Sequence, residues 1–441
     1  MCVKFSGRWS LGGLLLLLCV SGVTQAAVVL QRWQTAQGAT VMFVESHANP
    51  MVDVQVDFDA GTRRDTLAKP GVSELTADLL DAGTRRHDEE QLRGQLADLG
   101  AQFSTYAQDE SAGLRLRSLT ESALLQPALA LAAEMLSTPT FPTAVLQREK
   151  QRSIEMLKQQ ETKAEFLAER TLSRLVYPTH PYGNDARLSE TSLQSISRAD
   201  LVTFWRQHYQ PQRAVVSIVG DVSREQAQRL AEQLLAGLPA NGRAPQAIPA
   251  VPLAQTEKEL HLRHAGSQTH IAVGMAVLKR DDPDYFPLVV GNYILGGGGF
   301  DSRLMKEVRD QRGLTYGVSS EFEPLQQAGP FTISLSTRNE QAAQALQVVR
   351  QTLQHYVQDG PTAAELEQAK ANIIGSFPLR FDSNRKLLSY LALIGQYQLP
   401  LTYLDDYVRQ VKSVTVQQVH EAWQRRVNPA ALHTVVVGAT Q

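Results

Sequence analysis

Few side chains in this sequence stand at spacings that could do chemistry by themselves. Three histidines, His261, His264 and His270, cluster along the chain. They flank a strand-like stretch with neither a helical scaffold nor a nearby carboxylate pair, so a surface or core role is expected rather than metal ligation. Neither H-x-x-E-H nor H-E-x-x-H, the two helix-borne zinc patterns, occurs anywhere in the chain. His180, between Thr179 and Pro181, is expected to pack or bond locally in a turn. Gly296 to Gly299 is a run of glycines before Phe300, and no Gly-Lys-Ser/Thr follows, which argues against a phosphate cradle. Such a run permits close backbone approach, either between a helix end and a neighbouring strand or to a bound peptide. A guanidinium or phenol fixed against a developing oxyanion is worth several kcal/mol in a dry site. Taken singly, though, Arg309 reads as a helix-surface charge and Tyr316 as a core aromatic.

An internal repeat organises the elements that carry these residues. Residues 205–221 and 423–439 align at a constant offset: Trp205 with Trp423, Pro211 with Pro429, Gly220 with Gly438. Each segment reads as a helix end, a Pro-containing turn and a buried strand stopped by Gly. Ser197 and Thr415 align as N-caps. Each half opens alike, with a half-buried strand over Val52 to Phe58 and a looser one over Thr269 to Val277. Helices are expected over Val72 to Leu80 and Tyr285 to Leu295, then over Glu89 to Leu99 and Ser302 to Gln311. Strand pairs follow: Gln102 to Gln108 with Gly113 to Leu119, and Tyr316 to Glu323 with Gly329 to Ser336. Long helices over 121–137 and 340–358 close the pattern. The fold class is therefore α+β, duplicated, with mixed sheets covered by helices.

The segment 240–252, rich in Pro and small residues, is a linker by composition. It separates an N-terminal domain, 27–239, from a C-terminal domain, 253–441. Ahead of both, Lys4 and Arg8 precede an apolar run, Leu11 to Val20, and Thr24-Gln25-Ala26. That run is shorter than the ~20 residues a membrane span takes. Residues 1–26 read as a signal peptide, with export to the periplasm expected. Both cysteines, Cys2 and Cys19, lie inside it, so the mature chain has no disulfide. Cleavage removes Lys4 and Arg8 from 43 basic residues set against 45 acidic ones, taking the net charge from −2 to about −4. Nucleic acid and anionic membranes are not expected partners.

With these two halves and the block Arg303-Leu-Met-Lys-Glu-Val-Arg-Asp-Gln-Arg-Gly-Leu-Thr-Tyr316, the chain resembles the pitrilysin/insulinase-like metallopeptidases. Gly61-Thr-Arg-Arg-Asp65, Pro70-Gly71 and Leu175-Val-Tyr-Pro-Thr-His-Pro-Tyr-Gly183 extend the resemblance through most of the mature chain. It implies a clamshell-like chamber and a helix bearing H-x-x-E-H after the glycine. Two histidines and a downstream glutamate would hold zinc, and the motif glutamate would act as general base. Here Glu74 and Asp78 stand at the histidine positions and Ala77 at the base. Met156 or Glu155 takes the third-ligand position, depending on a one-residue shift. Three oxygen ligands, Glu74, Asp78 and Glu155, would suit a harder cation than zinc, and Ala77 could take no proton in any case. No zinc is therefore expected in this chain.

The resemblance also implies that Arg309 and Tyr316 face the metal across the chamber, holding substrate backbone and stabilising the oxyanion. The family's glycine run is shorter at this point, so Gly297 and Gly298 are read either as substrate contacts or as a purely structural turn. The metal half is thus dismantled and the oxyanion half intact. The expected role is a non-catalytic subunit that completes a zinc-bearing family partner acting on peptides. A peptide-binding or chaperone-like module without chemistry is the other reading, and an enzyme active alone is opposed by Ala77.

Overall fold

The computed structural model of the chain describes residues 29–240 and 246–439. The expected signal peptide, both cysteines and part of the expected linker lie outside the described residues. The first sheet holds β1 (Gln31–Gln34), β2 (Thr40–Glu45), β3 (Met51–Phe58), β4 (Gln102–Ala107), β5 (Ala112–Leu119) and β6 (Val215–Gly220). The second holds β7 (Glu259–Arg263), β8 (Gln268–Leu278), β9 (Val318–Phe322), β10 (Gly329–Arg338) and β11 (His433–Gly438). Their orders are β1-β2-β6-β3-β5-β4 and β7-β11-β8-β10-β9. In each sheet one pair is parallel, β2 with β6 and β7 with β11, and the rest are antiparallel. Apart from β1 the two sheets have the same order and directions, so the duplication read from the sequence is a duplication of topology.

In the first half the helices are α1 (Val72–Asp78), α2 (Glu89–Asp98), α3 (Ser122–Ser137), α4 (Thr143–Gln160), α5 (Ala164–Val176), α6 (Glu190–Ser195), α7 (Arg198–His208) and α8 (Arg224–Leu235). The second half adds α9 (Tyr285–Asn292), α10 (Ala342–Asp359), α11 (Ala363–Ser376), α12 (Asn384–Gln396), α13 (Tyr403–Ser413) and α14 (Val416–Arg426). The repeated residues do repeated work. Ser197 accepts the Asp200 N–H and Thr415 the Gln418 N–H, each closing a capping box at α7 and α14. A Cβ on Gly220 would lie 2.3 Å from Met51 O, and one on Gly438 would lie 2.1 Å from Thr269 Oγ1. Only glycine lets these strand ends pass so close.

One face of each sheet packs on helices of its own half. Val52, Val54, Val56 and Phe58 bury against Leu75, Leu129 and Leu234. In the second half, Phe331, Tyr356 and Phe322 meet the buried Trp423 edge-on, centroids 4.9–5.6 Å apart. The other face is covered by a helix from the opposite half. Helix α5 lies on β8 and β11, its Ala168, Leu172 and Val176 packing against Ala272, Ala276, Val435 and Val437. Helix α12 lies on β2, β3 and β6, bringing Leu388 and Leu391 into one cluster with Met42, Val44 and Val219. Gly395 makes that approach possible, since a Cβ there would come 2.4 Å from Val215 Cγ1.

This exchange corrects the expectation of a half-buried strand over Val52 to Phe58. Asp53, Gln55 and Asp57, on the strand's second face, are each 4 % exposed. They are satisfied there: Arg117 donates to Asp53 at 2.7 Å, Arg115 to Gln55 at 2.9 Å, and Tyr106 donates to Asp57. Two other expectations shift. The helix read over Tyr285 to Leu295 is α-helical only to Asn292 and continues as a π-helical turn, Tyr293–Gly297. The helix read over Ser302 to Gln311 is π-helical from Met305 to Asp310, with Gln311 N–H donating to Lys306 O at 3.0 Å. The strand read from Tyr316 begins at Val318, leaving Tyr316 in the preceding turn.

Candidate functional site

Helix α1 starts from Gly71, held at φ 98°. Asp65 caps it, accepting from Gly71 N–H at 2.7 Å and Ser73 N–H at 2.8 Å. One helical turn apart, Glu74 and Asp78 then share a face. That face lines a cleft of about 620 Å³, together with Met156 of α4, Glu169 and Arg170 of α5, and Asp185. Met156, 49 % exposed, lines the cleft with Ser153, Leu157 and Gln160 of the same helix. Glu155 instead accepts from Gln151 at 2.9 Å. Of the two residues that the sequence leaves at the third-ligand position, Met156 lines this cleft and Glu155 does not. Ala77 is fully buried.

The cleft crowds negative charge. Lost hydration, then Asp185, Asp65 and Asp78, push the Glu74 carboxyl up to about 8. Lost hydration, then Glu149 and Asp81, push Asp78 up to about 6. Lost hydration also raises Asp65 and Asp109, each to about 7, and raises Asp185, which stays open to solvent. Arg170 opposes the shift only at Asp185, and its hydrogen bonds go to Glu161 and to the carbonyls of Ala186 and Leu188. Two carboxyls and a thioether, with no imidazole among them, do not fit a catalytic zinc. Among the described residues, no three His, Cys, Asp or Glu side chains are placed to hold a metal ion.

The histidines do not converge. His261 contacts Glu259 at 2.6 Å, His264 contacts Thr162 O at 2.8 Å, and His270 contacts Ser336 Oγ at 2.9 Å. His180 accepts from Tyr182 N–H at 3.2 Å within its turn, and it also contacts Pro249 O at 2.9 Å, so it fastens a distant segment as well as its own turn.

Arg309 and Tyr316 are brought together. Arg309 lies on the π-helical turn, its side chain 33 % exposed and paired with Asp310 at 3.0 Å. Its guanidinium carbon stands 5.8 Å from the Tyr316 ring centroid and 4.9 Å from that of Phe300. Tyr316 is 90 % exposed, yet the backbone that carries it is fixed. Thr315 Oγ1 donates to Ser336 O at 2.7 Å and accepts from Gly317 N–H at 3.1 Å, while Leu314 N–H donates to Val308 O at 3.0 Å. Arg303 ties the start of the block to α11 through two contacts with Glu365, at 2.7 and 2.8 Å. No residue of the 300–316 block lines the Glu74 cleft.

The glycine run makes the close approach expected of it. A Cβ on Gly296 would lie 2.4 Å from Ser320 Oγ and 2.6 Å from Ser320 N, on β9. On Gly297 and Gly298 it would meet Asn292 at 2.8 Å and Tyr293 O at 2.5 Å. Sequence reasoning did not single out Phe300, Asp310 or Asp185. An aromatic directly after a glycine run was the one available signal, for Phe300.

Comparison with known proteins gives a consistent set. Residues 40–188 match the family model described as insulinase (peptidase family M16), and residues 195–373 match that of the peptidase M16 inactive domain. A crystal structure of a peptidase M16 inactive domain from Pseudomonas fluorescens superimposes with a TM-score of 0.89 at 38% identity, covering 93% of this chain and 98% of that one. An uncharacterized zinc protease, YmxG, of Bacillus subtilis is 25% identical over 89% of this chain and 94% of its own. A protein of Helicobacter pylori described as a non-peptidase homolog is 25% identical over 92% and 93%.

Proposed function

Because the chain belongs to the M16 family of insulinase-like peptidases, we propose that it is a zinc-less, non-catalytic subunit of an exported peptidase. It lends Arg309 and Tyr316 to a zinc-bearing family partner for peptide hydrolysis. The observation that carries this reading is the exposure of Tyr316, 90 % open on a backbone fixed on both sides. A tyrosine fixed in that way beside a cation is prepared for a group that another molecule brings. The half that would have held the metal offers Glu74, Ala77, Asp78 and Met156, a set with no imidazole and with alanine where the motif's general base would stand. The N-terminal residues 1–26 support export to the periplasm. Gly297 and Gly298, beside the same block, are the backbone positions where substrate would pass.

The chemistry asked of this chain is modest. Arg309 supplies N–H donors and Tyr316 a phenolic donor to an oxyanion. The test is peptide cleavage by the chain reconstituted with an exported family member that carries H-x-x-E-H. Loss of turnover in Arg309→Ala, with assembly intact by sedimentation, supports the reading; wild-type turnover removes it. A second reading, a peptide-binding module without chemistry, draws on the cleft of about 620 Å³ beside Glu74. It predicts peptide binding by the chain alone and no effect of Arg309→Ala on any partner's turnover.

A further inference from the structure

Two kinds of neighbour hold the Arg309 guanidinium. Phe300 and Tyr316 lie against it, with ring centroids at 4.9 and 5.8 Å, inside the range of a cation–π contact. Asp310 meets Nη1 at 3.0 Å, in a pair whose side chains are 33 % and 47 % exposed. An ion pair that open to water is weak and readily exchanged.

The place of Phe300 is built by its loop. Gly299 takes φ +65°, and Ser302, 1 % exposed, returns both its N–H and its hydroxyl to Gly299 O, at 3.1 and 2.7 Å. The backbone on either side of Phe300 is thereby fixed while its ring, in a residue 68 % exposed, stays on the surface against the arginine. Stacking occupies the face of a guanidinium and hydrogen bonding its edge, so the two do not exclude each other.

We propose that Phe300 is a positioning residue for Arg309. With Tyr316 it holds the guanidinium by its faces, while Asp310 occupies the donor edge until a peptide carbonyl or oxyanion displaces it. This rests on the reading that Arg309 acts on a peptide in a partner's site. It adds an aromatic requirement at 300 and an internal competitor at 310.

The geometry is tested on the free chain by the Nε–Hε resonance of Arg309, assigned with Arg309→Lys. Ring current from Phe300 displaces this signal. Phe300→Leu moves it toward an unstacked arginine and Phe300→Tyr leaves it in place. An unmoved signal in Phe300→Leu overturns the stacking. In the reconstituted complex, Phe300→Leu lowers kcat/KM about two- to fivefold, as loss of an exposed cation–π contact implies, and Phe300→Tyr restores it. Asp310→Asn acts in the opposite sense, lowering KM at low salt, with the advantage vanishing as salt rises. A raised KM in Asp310→Asn, or equal impairment by Phe300→Leu and Phe300→Tyr, overturns the proposal. Wild-type turnover in Arg309→Ala removes the underlying reading. Wild-type turnover in Phe300→Leu beside an impaired Arg309→Ala removes this inference alone.

Discussion

The Tyr182 hydroxyl donates to Glu110 at 2.6 Å and accepts from Gln327 N–H at 2.9 Å, so one phenol in the first half is bonded into the second. Glu110, 4 % exposed, also accepts from Arg63, from Tyr397 and from Gln326 N–H. A single buried carboxylate thus gathers donors from both halves of the chain.

Removing it leaves Arg63 buried without one of its counterions. Glu110→Ala is expected to destabilise the protein by about 3–5 kcal/mol, the usual consequence of breaking one side of a buried pair. Urea unfolding of the purified chain measures this. A midpoint equal to wild type at unchanged slope contradicts it.

The carboxyls of the Glu74 cleft give stability a definite pH dependence. Glu74 is held at about 8, above its unfolded value of 4.5, so the folded state keeps its proton longer than the unfolded chain does. Stability from this group is full below pH 4.5, declines as pH rises toward 8 and is lost above it. Asp78, held at about 6, acts in the same direction over a lower window. Glu74→Gln should therefore stabilise the protein at pH 8.5 by about 1–2 kcal/mol, a figure discounted because the carboxyl reaches solvent. At pH 4 the two proteins should unfold alike. An equal difference at both pH values would show the effect to be one of packing.

Zinc content is a separate matter. The purified chain should hold less than about 0.1 zinc per molecule and cleave no unstructured peptide, since the donors that four-coordinate catalytic zinc needs are absent. Stoichiometric zinc by elemental analysis, with cleavage abolished by a chelator, is the contrary result.

Tyr316→Phe removes one hydroxyl from a side chain that supports no core. Its unfolding free energy should lie within about 0.5 kcal/mol of wild type. Turnover of the reconstituted pair should nonetheless fall by roughly 10²–10³-fold if the phenol serves the oxyanion. A large loss of stability, or none of turnover, would return Tyr316 to the bland role of a surface aromatic.

The sequence made the duplication legible through residues whose identities are forced by close packing or turns. Trp423 sits in an aromatic cluster, Pro211 and Pro429 begin equivalent turns, and Gly220 and Gly438 pass neighbouring backbone with no room for a Cβ. Periodicity could not say which sheet a helix covers. The apolar faces of α5 and α12 look like those of any amphipathic helix, and the exchange is decided by contacts far apart in sequence. The π-helical turns were hidden because each is a single short turn, Tyr293–Gly297 and Met305–Asp310, too brief to set a period of its own. Glu74, Asp78 and Met156 were found through the resemblance alone. Phe300 was missed because an exposed aromatic and a buried one read identically in a sequence.

The exchange of α5 and α12 also says how such a chain must assemble. A first half made alone would leave Met42, Val44 and Val219 facing water, and a second half made alone would leave Ala272, Val435 and Val437 bare. Carried on one chain, each of these helices is kept near the sheet it covers by the covalent connection between the halves, so the loop-closure cost of the exchange is met once, within the molecule.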